Sequence, residues 1–278
     1  MKLEGGLYQT SGFCKMRACL LNSLAMGNKR ARALTIAGFD PSGGAGVSRD
    51  IKTFTALGVE SGAVVACLTA QNEVGFSGAL KIATGFIDAQ FAAARAENVN
   101  SAKTGMLLDE ETVTAVCRNI RNFSIKNVIA DPVMQSSSGA SLLTGNGVDA
   151  LKKELLPLCG FVTPNIAEAE KICGGGKIET AKDVKNAARE IAALGAGKVV
   201  VTGGHLRDER IIDTFFDGAE FFEIGRERIG GEMHGSGCVF SSALCALKAL
   251  GREDAEAVEQ AGRFTAEEIK KSLQGGNF

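Results

Sequence analysis

From residue 31 onward, short apolar runs alternate with helix-like runs, and this alternation constrains the chain more than any other feature. Residues 33–37, 62–69, 101–104, 127–130, 160–163 and 198–202 read as buried strands. Residues 86–98, 109–122, 147–155 and 180–194 read as helices, with Thr180 placed to cap the last of these. Strands joined through helices pair in parallel. The pattern therefore predicts an α/β fold, with a mainly parallel central sheet flanked by helices on both faces. An antiparallel hairpin is expected from 211–216 and 220–224 around Asp217-Gly218, and long helices over 238–250 and 254–272.

Glycine marks where such a sheet would bind ligands. The chain has 35 glycines in 278 residues, against an average usage of roughly 7%. They cluster after the apolar runs, at the predicted carboxyl ends of the strands, where open α/β sheets hold small molecules. No composition break divides 31–278, which is expected to form one domain, with residues 1–30 as a poorly ordered extension. A formal net charge of −1 argues against a nucleic-acid surface or a polybasic membrane patch. No apolar run approaches the roughly 18 residues needed to span a bilayer. Eight cysteines without a C-x-x-C pair, beside two histidines, argue against structural zinc and for reduced cysteine in the cytoplasm.

The strongest local signal is His234-Gly235-Ser236-Gly237-Cys238 at the start of a long helix. A helix amino terminus presents unpaired N–H groups and partial positive charge, and glycine lets them approach phosphate oxygens closely. The plainer alternative is an ordinary cap supplied by Ser236. Cys238 falls in the first helical turn, where the dipole favours thiolate and a thiolate can take a proton from a hydroxyl. Its alternative role is that of a small buried hydrophobe, which suits Cys245 better.

These residues resemble the anion-hole motif of ribokinase-like kinases. Cysteine at its fourth position, preceded by His-Gly, resembles the hydroxymethylpyrimidine kinases of thiamine biosynthesis. The run Ile36-Ala37-Gly38-Phe39-Asp40-Pro41-Ser42-Gly43-Gly44-Ala45-Gly46 is similar to that family's first loop. Ala70-Gln71-Asn72, Lys103-Thr104-Gly105-Met106, Asp131-Pro132-Val133-Met134, Thr163-Pro164-Asn165 and Thr202-Gly203-Gly204-His205 match in order.

The resemblance implies a ribokinase-like fold and transfer of a phosphoryl group from ATP, with Mg2+, to 4-amino-5-hydroxymethyl-2-methylpyrimidine and then to its monophosphate. It implies that Cys238 and the amides of Gly235, Ser236 and Gly237 carry the chemistry. Gln71, Ala45, Asp50, Met106 and Val133 are expected at the pyrimidine. A glutamine amide can pair with an aminopyrimidine edge. Asn165, Thr202, Gly203 and Gly204 are expected at ATP, and Asp131 and Glu168 at the metal. A homodimer is also expected by resemblance. Many relatives carry a lysine after Asp-Pro-Val-Met where this chain has Gln135, and some carry one in place of Thr202. Lys103 and the metal are left as sources of positive charge. Two alternatives stay open: a pyridoxal or pyridoxine kinase, which Gln71 argues against, and a silent pyrimidine-binding module.

Overall fold

A computed structural model of the chain describes residues 30–72, 74–136, 139–203, 210–227, 229 and 233–274. The first strand, β1 (Arg32–Phe39), is buried along 33–38, as expected of an apolar run covered on both faces. After it come α1 (Gly46–Ala56), β2 (Glu60–Gln71), β3 (Phe76–Lys81), α2 (Thr84–Ala93), β4 (Ser101–Thr104), α3 (Glu110–Asn122), β5 (Val128–Ala130) and α4 (Gly145–Ala150). The chain continues through β6 (Phe161–Val162), α5 (Ile166–Ile172), α6 (Ala181–Ala193), β7 (Val199–Val201), β8 (Arg210–Phe216), β9 (Phe221–Glu227), α7 (Ser236–Ala249) and α8 (Asp254–Leu273).

The strands form one sheet in the order β3-β2-β1-β4-β5-β6-β7-β8-β9. Six of them, from β2 to β7 along that order, run parallel. Strand β3 at one edge, and β8 and β9 at the other end of the sheet, are antiparallel to their neighbours. Period-two alternation sends the two sides of each central strand into separate cores. Leu34, Ile36, Val128, Ala130, Val199 and Val201 pack with residues of α2 to α6. Ala33, Ile129 and Val200 pack on the opposite face with Phe54 of α1, Phe240 and Leu244 of α7, and Ala257 and Ala261 of α8. Helices therefore cover both faces of a mainly parallel sheet, the α/β arrangement the sequence predicts.

Local chemistry fixes the ends of several elements. Thr180 accepts from the Asp183 amide, and the Asp183 carboxylate accepts from the Thr180 amide, closing a capping box on α6. In the β8–β9 hairpin, Asp217 Oδ1 accepts from the amides of Ala219 and Glu220 at 2.8 and 2.7 Å. Strand β3 is absent from the sequence reading. It lies on the sheet edge and is only partly buried, so it lacks an apolar run. The helix expected over 86–98 is α2 followed by a 3-10 turn, because Arg95 adopts a left-handed conformation between them. The helix expected over 147–155 starts at Gly145 and widens into a π turn at Leu151–Leu155. No helix among the described residues is long and apolar enough to cross a membrane.

The strand order reverses direction between β1 and β4. From β1 the chain moves outward to β2, and from β4 it moves the other way to β5. Such a switch point opens a crevice at the carboxyl ends of the strands.

Candidate active site

The crevice holds a slot with about 40 Å3 of enclosed space, lined by Ala37, Gly38, Gly46, Gln71, Lys103, Met106, Val133, Leu142 and Cys238. Its apolar wall is a small cluster of Cys67, Met106 and Leu142, with Val133 packed against it. A larger cleft of about 210 Å3, between Lys152, Ile172, Cys173 and Glu190, lies away from this edge and gathers none of the expected site residues. Gln71 reaches the slot from the carboxyl end of β2, at a register shift between β2 and β3.

Behind the slot lies a buried ionic network. Lys103 on β4 is fully buried, and its Nζ donates to both oxygens of Asp50 at 3.0 and 3.1 Å. Asp50, on α1, is fully buried too. It also accepts from Thr35 Oγ1 and Ser242 Oγ, each at 2.5 Å. Lys103 stands 3.6 Å from Asp131 Oδ2. Burial opposes the charge on Lys103, but Asp50, Cys238 and Asp131 outweigh it and hold the lysine's pKa above its ordinary value. Lys103 is thus already paired with carboxylates before any phosphate arrives. Asp50 is expected at the pyrimidine; the structure places it one layer behind the slot, against Lys103.

Cys238 sits half-buried in the first turn of α7, facing the slot. Burial pushes its thiol up to about 12. Lys103 pulls the other way, but Asp131 and Asp50 add to the rise, and the Gly46 amide only partly offsets it. Desolvation and two carboxylates thus outweigh the helix terminus and the lysine, which favours the thiol over the thiolate. Cys245 is fully buried on the same helix, within 3.2 Å of Ser101 Oγ.

The glycine turn before α7 needs its glycines. Gly235 is the N-cap of α7, with φ 79°, and no side chain caps the helix. Ser236 is instead the first helical residue. A Cβ on Gly235 would collide with the Gly44 carbonyl. The first-turn amides, including those of Gly237 and Cys238, belong to the groups a helix leaves without intrahelical partners.

On the other side of the crevice, Asn165 caps α5. Its side chain accepts from the Glu168 amide at 2.9 Å, while Glu168 Oε2 accepts from the Asn165 amide at 3.0 Å. Glu168 is almost wholly buried, and burial together with the charge of Asp131 raises its pKa to about 8. Asp131 is also held above its ordinary value by burial, against the pull of Lys103 and a 2.9 Å hydrogen bond from Ser241 Oγ. Among the described residues no three His, Cys, Asp or Glu side chains form a ready-made metal cage. Magnesium needs none, since one or two carboxylates with waters and substrate phosphates suffice. Asp131 and Glu168 raise the cost of each other's negative charge, and a divalent cation relieves that cost, so the pair fits Mg2+.

Thr202 bridges to Asn165 at the end of β7. The Gly203 amide donates to Asp213 Oδ1 at 3.1 Å, and a side chain at 203 would collide with the Ile212 backbone. Gly204 lies outside the described residues. Ala45 lies in the loop before α1, where its amide donates to Asp40 Oδ2 at 2.9 Å. Several residues at this edge escaped the sequence reading. Leu142 sits in a serine- and glycine-rich stretch, while Thr35, Ser241 and Ser242 look like ordinary strand and helix residues. A lysine inside an otherwise uncharged strand was the one available signal for the buried network.

Residues 40–278 match the phosphomethylpyrimidine kinase family. The chain is 37% identical over 246 residues to the hydroxymethylpyrimidine/phosphomethylpyrimidine kinase of Aquifex aeolicus, covering 88% of this chain and 96% of that protein. It is 39% identical over 243 residues to a thiamine biosynthesis bifunctional protein of Geobacter sulfurreducens, covering 87% of this chain and about half (49%) of that longer protein. Among solved structures, the ADP complex of Bacillus subtilis pyridoxal kinase is similar, with a TM-score of 0.79 and 36% identity over 85% of this chain and 90% of that one.

Proposed function

The chain belongs to the phosphomethylpyrimidine kinase family, and we propose that it transfers the γ-phosphoryl group of ATP to the hydroxymethyl oxygen of 4-amino-5-hydroxymethyl-2-methylpyrimidine. The monophosphate so formed is its second acceptor, in thiamine biosynthesis. One observation carries this reading: Gln71 and Cys238 line the same slot, and Cys238 also lies in the first turn of the helix that follows the glycine turn.

The pyrimidine enters the slot with its ring against Met106, Val133 and Leu142. Gln71 offers a donor and an acceptor side by side to the amino group and the adjacent ring nitrogen. That pairing favours the pyrimidine over the pyridoxal reading. Ala45 and Asp50 act from behind, Ala45 through the shape of the first loop and Asp50 by holding Lys103. ATP lies on the far side of the crevice, over Asn165, Thr202 and Gly203, and the family resemblance adds Gly204 to the nucleotide-binding residues. Asp131 and Glu168 would hold Mg2+, which screens phosphate charge when bound.

Phosphoryl transfer passes through a loose transition state, so positioning and electrostatics dominate over early proton removal. A protonated Cys238 suits that requirement: it orients the acceptor hydroxyl, whose proton leaves late in the transfer. The amides of Gly235, Ser236, Gly237 and Cys238 stabilise charge on the moving group. The free thiols of Cys67, Cys117 and Cys159 suit a reducing compartment, and we place the enzyme in the cytoplasm, as a homodimer by family resemblance.

Phosphorus NMR of a reaction with ATP, Mg2+ and the hydroxymethylpyrimidine tests the proposal. The expected products are ADP and a new phosphomonoester, followed by a pyrophosphate ester. Phosphorylation of pyridoxal with the pyrimidine left untouched would overturn it.

A further inference from the structure

Two segments build the acceptor end of the site, 39–46 between β1 and α1 and 234–238 at the start of α7, and they lie far apart in the sequence. The first is folded around one buried carboxylate. Asp40 Oδ1 accepts from the Ser42 amide at 2.9 Å and from Ser42 Oγ at 2.7 Å, and Oδ2 accepts from the Ala45 amide at 2.9 Å. Asp40 itself is fully buried. The same Oδ2 lies 3.2 Å from His234 Nε2, which links residues 194 apart in the chain.

Around that contact the two loops touch backbone to backbone. A Cβ on Gly44 would strike the His234 ring, and one on Gly235 would strike the Gly44 carbonyl. Arg49 Nε donates to that Gly44 carbonyl at 3.1 Å. Gly46, at the end of the same loop, lines the slot together with Cys238. Moving the first loop therefore moves a wall of the slot that Cys238 faces, and moving the glycine turn moves a wall of the first loop.

We infer that the Asp40–His234 contact is a positioning latch, which holds the acceptor loop and the phosphate-facing glycine turn in one shared geometry. In this proposal His234 is a positioning residue that works through Asp40. For its kinetic consequence the latch rests on the kinase reading above. Its structural consequence stands without that reading.

His234→Ala removes the contact, and His234→Gln restores a donor near the position of the ring Nε2. The test pairs steady-state kinetics with hydrogen exchange over 39–46, on the full chain. His234→Ala should lower kcat/KM for the pyrimidine at least about tenfold, because small misplacements at a reacting centre are costly. Its KM for ATP should stay within about twofold, as expected when uniform nucleotide binding is untouched. Amides of 39–46 should exchange faster in His234→Ala, and His234→Gln should recover most of both losses. Unchanged exchange in 39–46, or a Gln variant as impaired as the Ala variant, would overturn the latch. If the wild-type protein turns over no pyrimidine, the kinase reading fails, and the exchange measurement still decides the latch.

Discussion

The two sides of the crevice are prepared to different degrees. On the acceptor side, between β1, β4 and α7, the charges are paired: Asp50 accepts from Lys103, Thr35 and Ser242, and Asp40 accepts from Ser42 and Ala45. On the nucleotide side, between β5, β6 and β7, burial makes negative charge costly. Asp131 and Glu168 are both held above their ordinary pKa values, Glu168 at about 8. The acceptor side has its buried carboxylates hydrogen-bonded before substrate arrives. The nucleotide side is arranged so that a metal–phosphate ligand completes it. A kinase gains from that division, because the acceptor must be aimed while the nucleotide brings its own charge and cation.

The difference can be broken at its strongest point. Lys103→Met leaves Asp50 buried without its cation, and losing one partner of a buried pair costs about 3–5 kcal/mol. Urea unfolding should show that loss, and a wild-type midpoint would mean that the acceptor side does not depend on the pair. Gln71→Met removes the paired donor and acceptor but keeps the fold. Its kcat/KM for the pyrimidine should fall about 10- to 100-fold relative to pyridoxal, the scale at which polar recognition discriminates. Equal ratios in variant and parent would detach Gln71 from specificity.

The nucleotide side can be sharpened through pH. Folded Glu168 keeps its proton up to about pH 8, whereas the unfolded chain releases it near the ordinary 4.5. The unfolded state then binds fewer protons between those values, so this group makes stability fall as pH rises from 4.5 to 8. Glu168→Gln keeps an acceptor for the Asn165 amide and cannot ionise. It should flatten that slope in thermal melts without ligand, and an unchanged slope would place the charge elsewhere. The smallest effect lies outside the crevice: Thr180→Ala removes the α6 cap, should cost about 1 kcal/mol, and should leave kcat unchanged.

The sequence makes the frame of this fold plain and its charge balance hidden. Runs such as 33–37 and 198–202 declare themselves as strands because each is apolar on both faces. Strand β3 does not, because an edge strand with one open side needs no such run. The glycine turn at 235–237 and the cysteine after it are readable as a motif. The protonation of that cysteine is not, since it depends on Asp50 and Asp131, which stand far from it in the chain and arrive through β5 and α1. Lys103 likewise reads as an available cation until folding shows it sealed against Asp50. Side-chain identity is local information, whereas desolvation and pairing are properties of the assembled crevice.

Everything proposed for the chemistry turns on Cys238 aiming an acceptor hydroxyl at the glycine turn of α7. The most direct test is steady-state turnover of Cys238→Ala with ATP, Mg2+ and the hydroxymethylpyrimidine, beside its ATP affinity. We predict a kcat lowered about 10²- to 10³-fold, as for loss of an orienting contact at a reacting centre, with ATP affinity within about threefold of wild type. A variant that turns over at the wild-type rate would contradict the account.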